Sequence, residues 1–118
     1  MPLTETLKPL PIYALAFTVL LGAFSRFTHG IYTPTWYAFQ EYHAPDDGSI
    51  VATLTPIIDT ITGLSLLFGA RPAKYAAAAI SLSAFGTGLW MQASAGKEWW
   101  GDVGLVVLAA GAVWGAWF

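Results

Sequence analysis

A chain of 118 residues has room for one domain, and 56% hydrophobic against 10% charged residues sets it apart from soluble globular proteins. The net charge of −2, with no basic stripe, excludes nucleic acid as a partner. With no cysteine there are no disulfides, thiol nucleophiles, CxxC redox pairs or thiolate-ligated clusters.

Four apolar runs, 9–29, 50–70, 74–94 and 99–118, each supply about the 20 residues a helix needs to cross a bilayer. The prediction is all-α: an integral membrane, four-helix transmembrane bundle with a short interfacial helix between spans one and two, residues 1–118 forming a single transmembrane domain. The first run opens at Pro9 and Pro11, which suit a helix start. It is too long for a leader peptide, and its end, from Ser25 to His29, is a poor cleavage site, so it is expected to be retained. Thr18, Gly22, Ser25, Arg26 and His29 share one face, with Gly22 allowing close approach of a neighbour. Arg26 sits within a turn of the span's end, where it either snorkels to the interface or turns inward to a carboxylate.

Residues 30–49 make the one long connection. Thr33 and Pro34 read as an N-cap and a first-turn proline, opening a helix over 34–42 that carries Trp36, Tyr37, Phe39 and Tyr42. Such a helix either lies among the headgroups or closes a pocket. Pro45, Asp46, Asp47 and Gly48 spell a turn. Glu41 and His43 form no metal-binding motif, and neither a metal nor a cofactor is expected.

Span two carries Asp59 near its middle, where a charge costs about 2.5–3.5 kcal/mol even on the lenient insertion scale. Pro56 is expected to kink or loosen the helix. Thr55, Asp59, Thr62 and Gly63 share a face, and Ile57, Ile58, Ile61 and Leu64 face lipid. A tight link, Arg71 to Lys74, leads to span three, where Ala77, Ser81, Ala84 and Gly88 read as helix packing and Gln92 is the polar residue that can reach a site. Span four opens with Trp99, Trp100, Gly101 and Asp102; Gly104, Gly111 and Gly115 read as a close-packing seam, and Trp114 and Trp117 as interfacial anchors.

Lys8, Arg71 and Lys74 fall on one side with both termini, and Lys97 on the other, so the termini are expected in the cytoplasm. Arg26 and Asp102 each lie about a turn inside the opposite boundary, and Asp59 lies about 13 Å inside it at 1.5 Å per residue. Depth alone therefore allows the three to meet in one pocket.

Residues Leu21 to Gly30 carry a glycine-bracketed run around Arg26 and His29, and Asp59, Gly63 and Gly69 punctuate a leucine-rich stretch. With the tight basic link before an alanine-rich third span, these features resemble the DoxX-like superfamily of small four-helix membrane proteins. A fungal branch active in secondary-metabolite biosynthesis, as hydrolases or cyclases, looks closer still, although an aspartate stands where the family often has glutamate. The resemblance implies endoplasmic reticulum membranes in a eukaryote and a lipophilic substrate.

The leading expectation is a cofactor-free acid–base enzyme that opens an epoxide on a lipophilic intermediate, by hydrolysis or ring closure. Asp59, Asp102 and Arg26 are the candidate catalytic residues, and His29, Tyr32, Trp36, Thr55, Gln92 and Trp99 the candidate substrate contacts. One carboxyl must donate a proton while the other accepts one, and unequal burial around a shared arginine is the kind of asymmetry that separates two such groups. The alternatives are a proton-initiated terpenoid cyclase, with tryptophans steadying carbocations, and a non-catalytic membrane subunit in which Asp59 and Arg26 form a structural pair. Four short spans leave little room for a large substrate, so a homodimer is expected.

Overall fold

The computed structural model describes residues 6–43 and 47–117. Its regular elements are helices: α1 (Pro9–Phe27), α2 (Pro34–His43), α3 (Ile50–Phe68), α4 (Arg71–Ser94) and α5 (Trp100–Trp117). Three of them, α1, α3 and α5, are long and apolar enough to cross a membrane. The 24-residue α4 is the longest, but its serines, glycines, Arg71 and Lys74 make it less apolar. α1 packs on α3, α3 on α4, α4 on α5 and α5 back on α1, so the four long helices close a ring in chain order, with α2 resting on α1.

Local chemistry sets the helix ends. α1 stops at Phe27, two residues short of the expected limit, because Gly30 N–H returns to Ser25 O (2.9 Å) and His29 and Gly30 both take positive φ, 51° and 76°. A Cβ at Gly30 would lie 2.6 Å from Cβ of Tyr37, so glycine is what lets α2 fold back here. The expected Thr33 side-chain cap is not made: its carbonyl accepts from Tyr37 N–H (2.9 Å), and among the described residues its hydroxyl has no hydrogen bond. Pro45 and Asp46 of the expected turn lie outside the described residues. Asp47 Oδ1 accepts from Ser49 N–H (3.0 Å), and Ser49 Oγ then caps α3 by accepting from Ala52 N–H (3.2 Å).

α3 runs unbroken through Pro56. The hydroxyls of Thr55 and Thr60 donate back along the helix to Val51 O (2.6 Å) and Pro56 O (2.7 Å), so neither is left unbonded on this apolar helix. The expected 71–74 link is instead the first turn of α4, because Ala70 is extended and Pro72 falls in the opening positions, where its fixed φ suits a helix. Arg71 caps the far end of α5: Nε donates to Ala116 O (2.9 Å) and a terminal nitrogen to Trp117 O. A cation at those carbonyls complements the helix dipole.

The hydrophobic core fills this basic end of the ring. Ile12, Leu15, Ala16 and Val19 of α1 meet Leu66 of α3, Ala77 and Ala78 of α4, and Ala109, Ala112 and Ala116 of α5. Gly111 and Gly115 seat the start of α1, against Pro11 and the Lys8 carbonyl, whereas Gly104 faces open space and takes no part in the expected seam. Ile57, Ile58, Ile61 and Leu64 point outward, and Thr62 and Gly63 inward, as the spacing predicts.

Candidate functional site

At the opposite end the ring does not fill. Spacings of four place Thr18, Gly22 and Arg26 on one stripe of α1, and that stripe lines a cavity of about 240 Å³. Thr55 and Asp59 line it from α3, Ala84, Phe85 and Gly88 from α4, Asp102 and Leu105 from α5, and Trp36, Phe39 and Gln40 from α2. The three charges within the apolar runs therefore reach one chamber from three different helices. Arg26 and Asp102 are 5% and 3% exposed. Asp59 lies deeper along its helix, while Asp102, at the opening of α5, is the more enclosed of the two. Arg26 is the cation within electrostatic reach of the Asp59 carboxyl.

Gly22 is the pivot of the chamber. A Cβ there would meet Gln40 Nε2 at 2.8 Å, Trp36 Nε1 at 3.5 Å and Asp59 Oδ2 at 3.7 Å, so these groups converge on the space its hydrogen leaves. Gln40 Nε2 donates to Gly22 O (3.2 Å), and Arg26 donates back to Gln40 O (3.3 Å). This reciprocal pair fastens α2 across the chamber. A second fastening joins α2 to the α4–α5 link: Glu98 N–H donates to Tyr42 Oη (3.1 Å), and Lys97 lies 5.3 Å over the Tyr42 ring. Trp36 Nε1 and Gln40 Oε1 are buried and make no hydrogen bond among the described residues, which leaves a donor and an acceptor for a guest. Asp102 faces α4, with Oδ1 3.9 Å from the point where a Gly88 side chain would begin.

Of the expected substrate contacts, Trp36 and Thr55 line the chamber and four do not. His29 is exposed in its left-handed turn. Tyr32 is 73% exposed and stacks on Phe24 at 5.9 Å. Gln92 is buried away from the chamber, where its carbonyl accepts from Lys97 N–H (3.0 Å) and closes the turn after α4. Trp99 stacks on Trp100 at 4.5 Å, outside the walls. Phe39, read only as one of the aromatics of α2, and Gln40 and Phe85, which the sequence reading passed over, are wall residues. The signal for the first two was the i, i+3, i+4 spacing of Trp36, Phe39 and Gln40. Ala84 and Gly88, read as packing, are wall residues too.

The walls are apolar apart from the three charges, Gln40, the Trp36 N–H and two threonines. Among the described residues no three of His, Asp and Glu gather as a metal site. Comparison with protein-family models, curated proteins and solved structures found no match.

Proposed function

We propose that this chain is a membrane-embedded, cofactor-free acid–base enzyme that opens an epoxide on a lipophilic molecule. One observation carries the reading: Asp59, Asp102 and Arg26, from three helices, line a single apolar-walled chamber. Asp102 as base takes a proton from water, whose oxygen attacks one epoxide carbon. The bond from that carbon to the epoxide oxygen breaks, leaving its electron pair on the oxygen. Asp59 as acid gives its proton to that oxygen, and a vicinal diol results. If a substrate hydroxyl attacks in place of water, the same proton transfers give a cyclic ether and one new hydroxyl. Arg26 holds the negative charge that passes between the carboxyls. The proton gained by Asp102 returns to Asp59 through water to reset the site.

In this reading all four long helices cross the membrane, α4 included, because Ile80 and Trp90 present large apolar side chains outward along it. The DoxX-like resemblance, the endoplasmic reticulum and cytoplasmic termini belong to the same proposal, supported by the motif around Arg26 and the basic end at Lys8, Arg71 and Lys74.

The test is product analysis. Wild type, Asp59→Asn, Asp102→Asn and Arg26→Ala are expressed in a host making epoxidised polyenes, with the membrane level of each protein measured. Wild type is expected to form diol or cyclic ether, and each aspartate variant to lose at least about 100-fold in rate. Full turnover by Asp59→Asn sinks the proposal. A second reading, protonation of an alkene to start terpenoid cyclisation, is favoured by Trp36 and Phe39, whose rings stack at 5.4 Å in the chamber wall. It predicts a solvent-derived C–H bond in the product, which deuterated water reveals and epoxide opening does not produce.

A further inference from the structure

A second cavity, of about 210 Å³, adjoins the first. Its walls are Phe39, Tyr42, Glu98, Trp100, Gly101 and Asp102, so Phe39 and Asp102 belong to both chambers. The Phe39 ring is wedged in place. On one side it stacks on Trp36, a wall of the inner chamber. On the other it covers Gly101, where an added Cβ would sit 2.8 Å from ring Cε2. The helix that carries it is fastened just after the ring, through Gln40 to α1 and through Tyr42 to the α4–α5 link.

We propose that Phe39 is the specificity-determining residue of this site: its ring partitions one long cavity into two chambers and limits the ligand to a compact lipophile with one oxygen-bearing end. The limit follows from volume. The two chambers are of similar size, about 240 and 210 Å³, so opening the partition roughly doubles the space continuous with Asp59 and Arg26. With the ring in place only the inner chamber adjoins Asp59 and Arg26. Without it, the aromatic walls of Tyr42 and Trp100 continue the same cavity and receive a longer tail. The proposal rests on the inner chamber being the ligand site and not on the reaction assigned to it.

Bromine quenches indole fluorescence on contact, and Trp36 stands in the inner wall. The probes are 2-bromo-1-alkanols with chains of about four to about fourteen carbons, whose bromine stays beside the oxygen-bearing end in the inner chamber whatever the tail length. They are titrated into detergent-purified wild type, Phe39→Ala and Phe39→Leu, each with a Trp36→Phe counterpart to isolate the Trp36 signal. In wild type, binding detected at Trp36 is expected to collapse beyond a limiting chain length, in Phe39→Ala to persist to roughly twice that length, and in Phe39→Leu to fall between. Phe39→Ala should bind the longest probes at least about tenfold more tightly than wild type. Identical length profiles in wild type and the folded leucine variant overturn the proposal, as does the absence of any Trp36 signal at every length. A shifted profile without turnover of matching epoxides leaves the partition standing and removes the acid–base reading. Turnover with an unshifted profile does the reverse.

Discussion

Gly22 shows how much one missing side chain can organise. Its bare surface is occupied by Gln40, Trp36 and Asp59. Replacement by alanine is expected to push Gln40 Nε2 aside, break its bond to Gly22 O and cost about 1 kcal/mol. Thermal unfolding in detergent reads that loss, while the helix itself is retained because the displaced atom ends a flexible side chain. Gly30→Ala is the harsher change, since it adds about 1–2 kcal/mol of left-handed strain to a clash with the backbone-proximal atoms of Tyr37. It is expected to lower the unfolding temperature more than Gly22→Ala, and an equal or smaller drop would contradict the tight turn. Asp59 was legible in the sequence because a carboxylate in an apolar run violates a rule. Gln40 was not, because a glutamine on a short amphipathic helix breaks no rule until the turn at His29 and Gly30 aims that helix at Gly22.

Among the elements, α2 carries the information that periodicity alone lacks. Its existence and extent follow from Pro34 and the aromatic spacing. Its role follows from two fastenings made largely to backbone groups, which leave no imprint on sequence pattern. Tyr42→Phe removes the acceptor for Glu98 N–H and should release the C-terminal end of α2. Hydrogen exchange in α2 is expected to quicken severalfold, as for an opening eased by about 1 kcal/mol. Unchanged exchange there would show that the bond does not hold the helix. α4 teaches the complementary lesson. Its stripe Ala77, Ser81, Ala84 and Gly88 was read as packing throughout, but Ala77 and Ser81 are buried while Ala84 and Gly88 line the chamber. Small residues mark both a tight contact and a hollow, and only the neighbours decide which.

For the molecule as a whole, three helices meet the length and hydropathy of a span, and α4 packs against two of them, α3 and α5. The longest dimension, 46 Å, exceeds the roughly 30 Å hydrocarbon core of a bilayer. Because the sequence has no cysteine, single thiols report sidedness cleanly. Ala70→Cys and Ala95→Cys flank α4 and are exposed. In sealed vesicles a membrane-impermeant maleimide should label one of the two from outside, and the other only after permeabilisation. Labelling of both from one side would mean that α4 does not cross. Native mass spectrometry of the purified protein is expected to show a dimer, and a monomer alone would confine the ligand to a single ring. The four apolar runs made the ring's membership legible, while the closure of α1 on α5 depended on Gly111 and Gly115 receiving Pro11 and Lys8, a match that no single run displays.

Core and chamber lie at opposite ends of the same four helices, and this separates two kinds of heritable change. Substitutions among the alanines and Leu15 and Leu66 at the closed end test whether the chain assembles. Substitutions at Phe39 or Leu105 at the hollow end test what it accommodates. A lineage carrying such a scaffold can drift from one guest to another through a handful of wall positions without renegotiating the assembly beneath them.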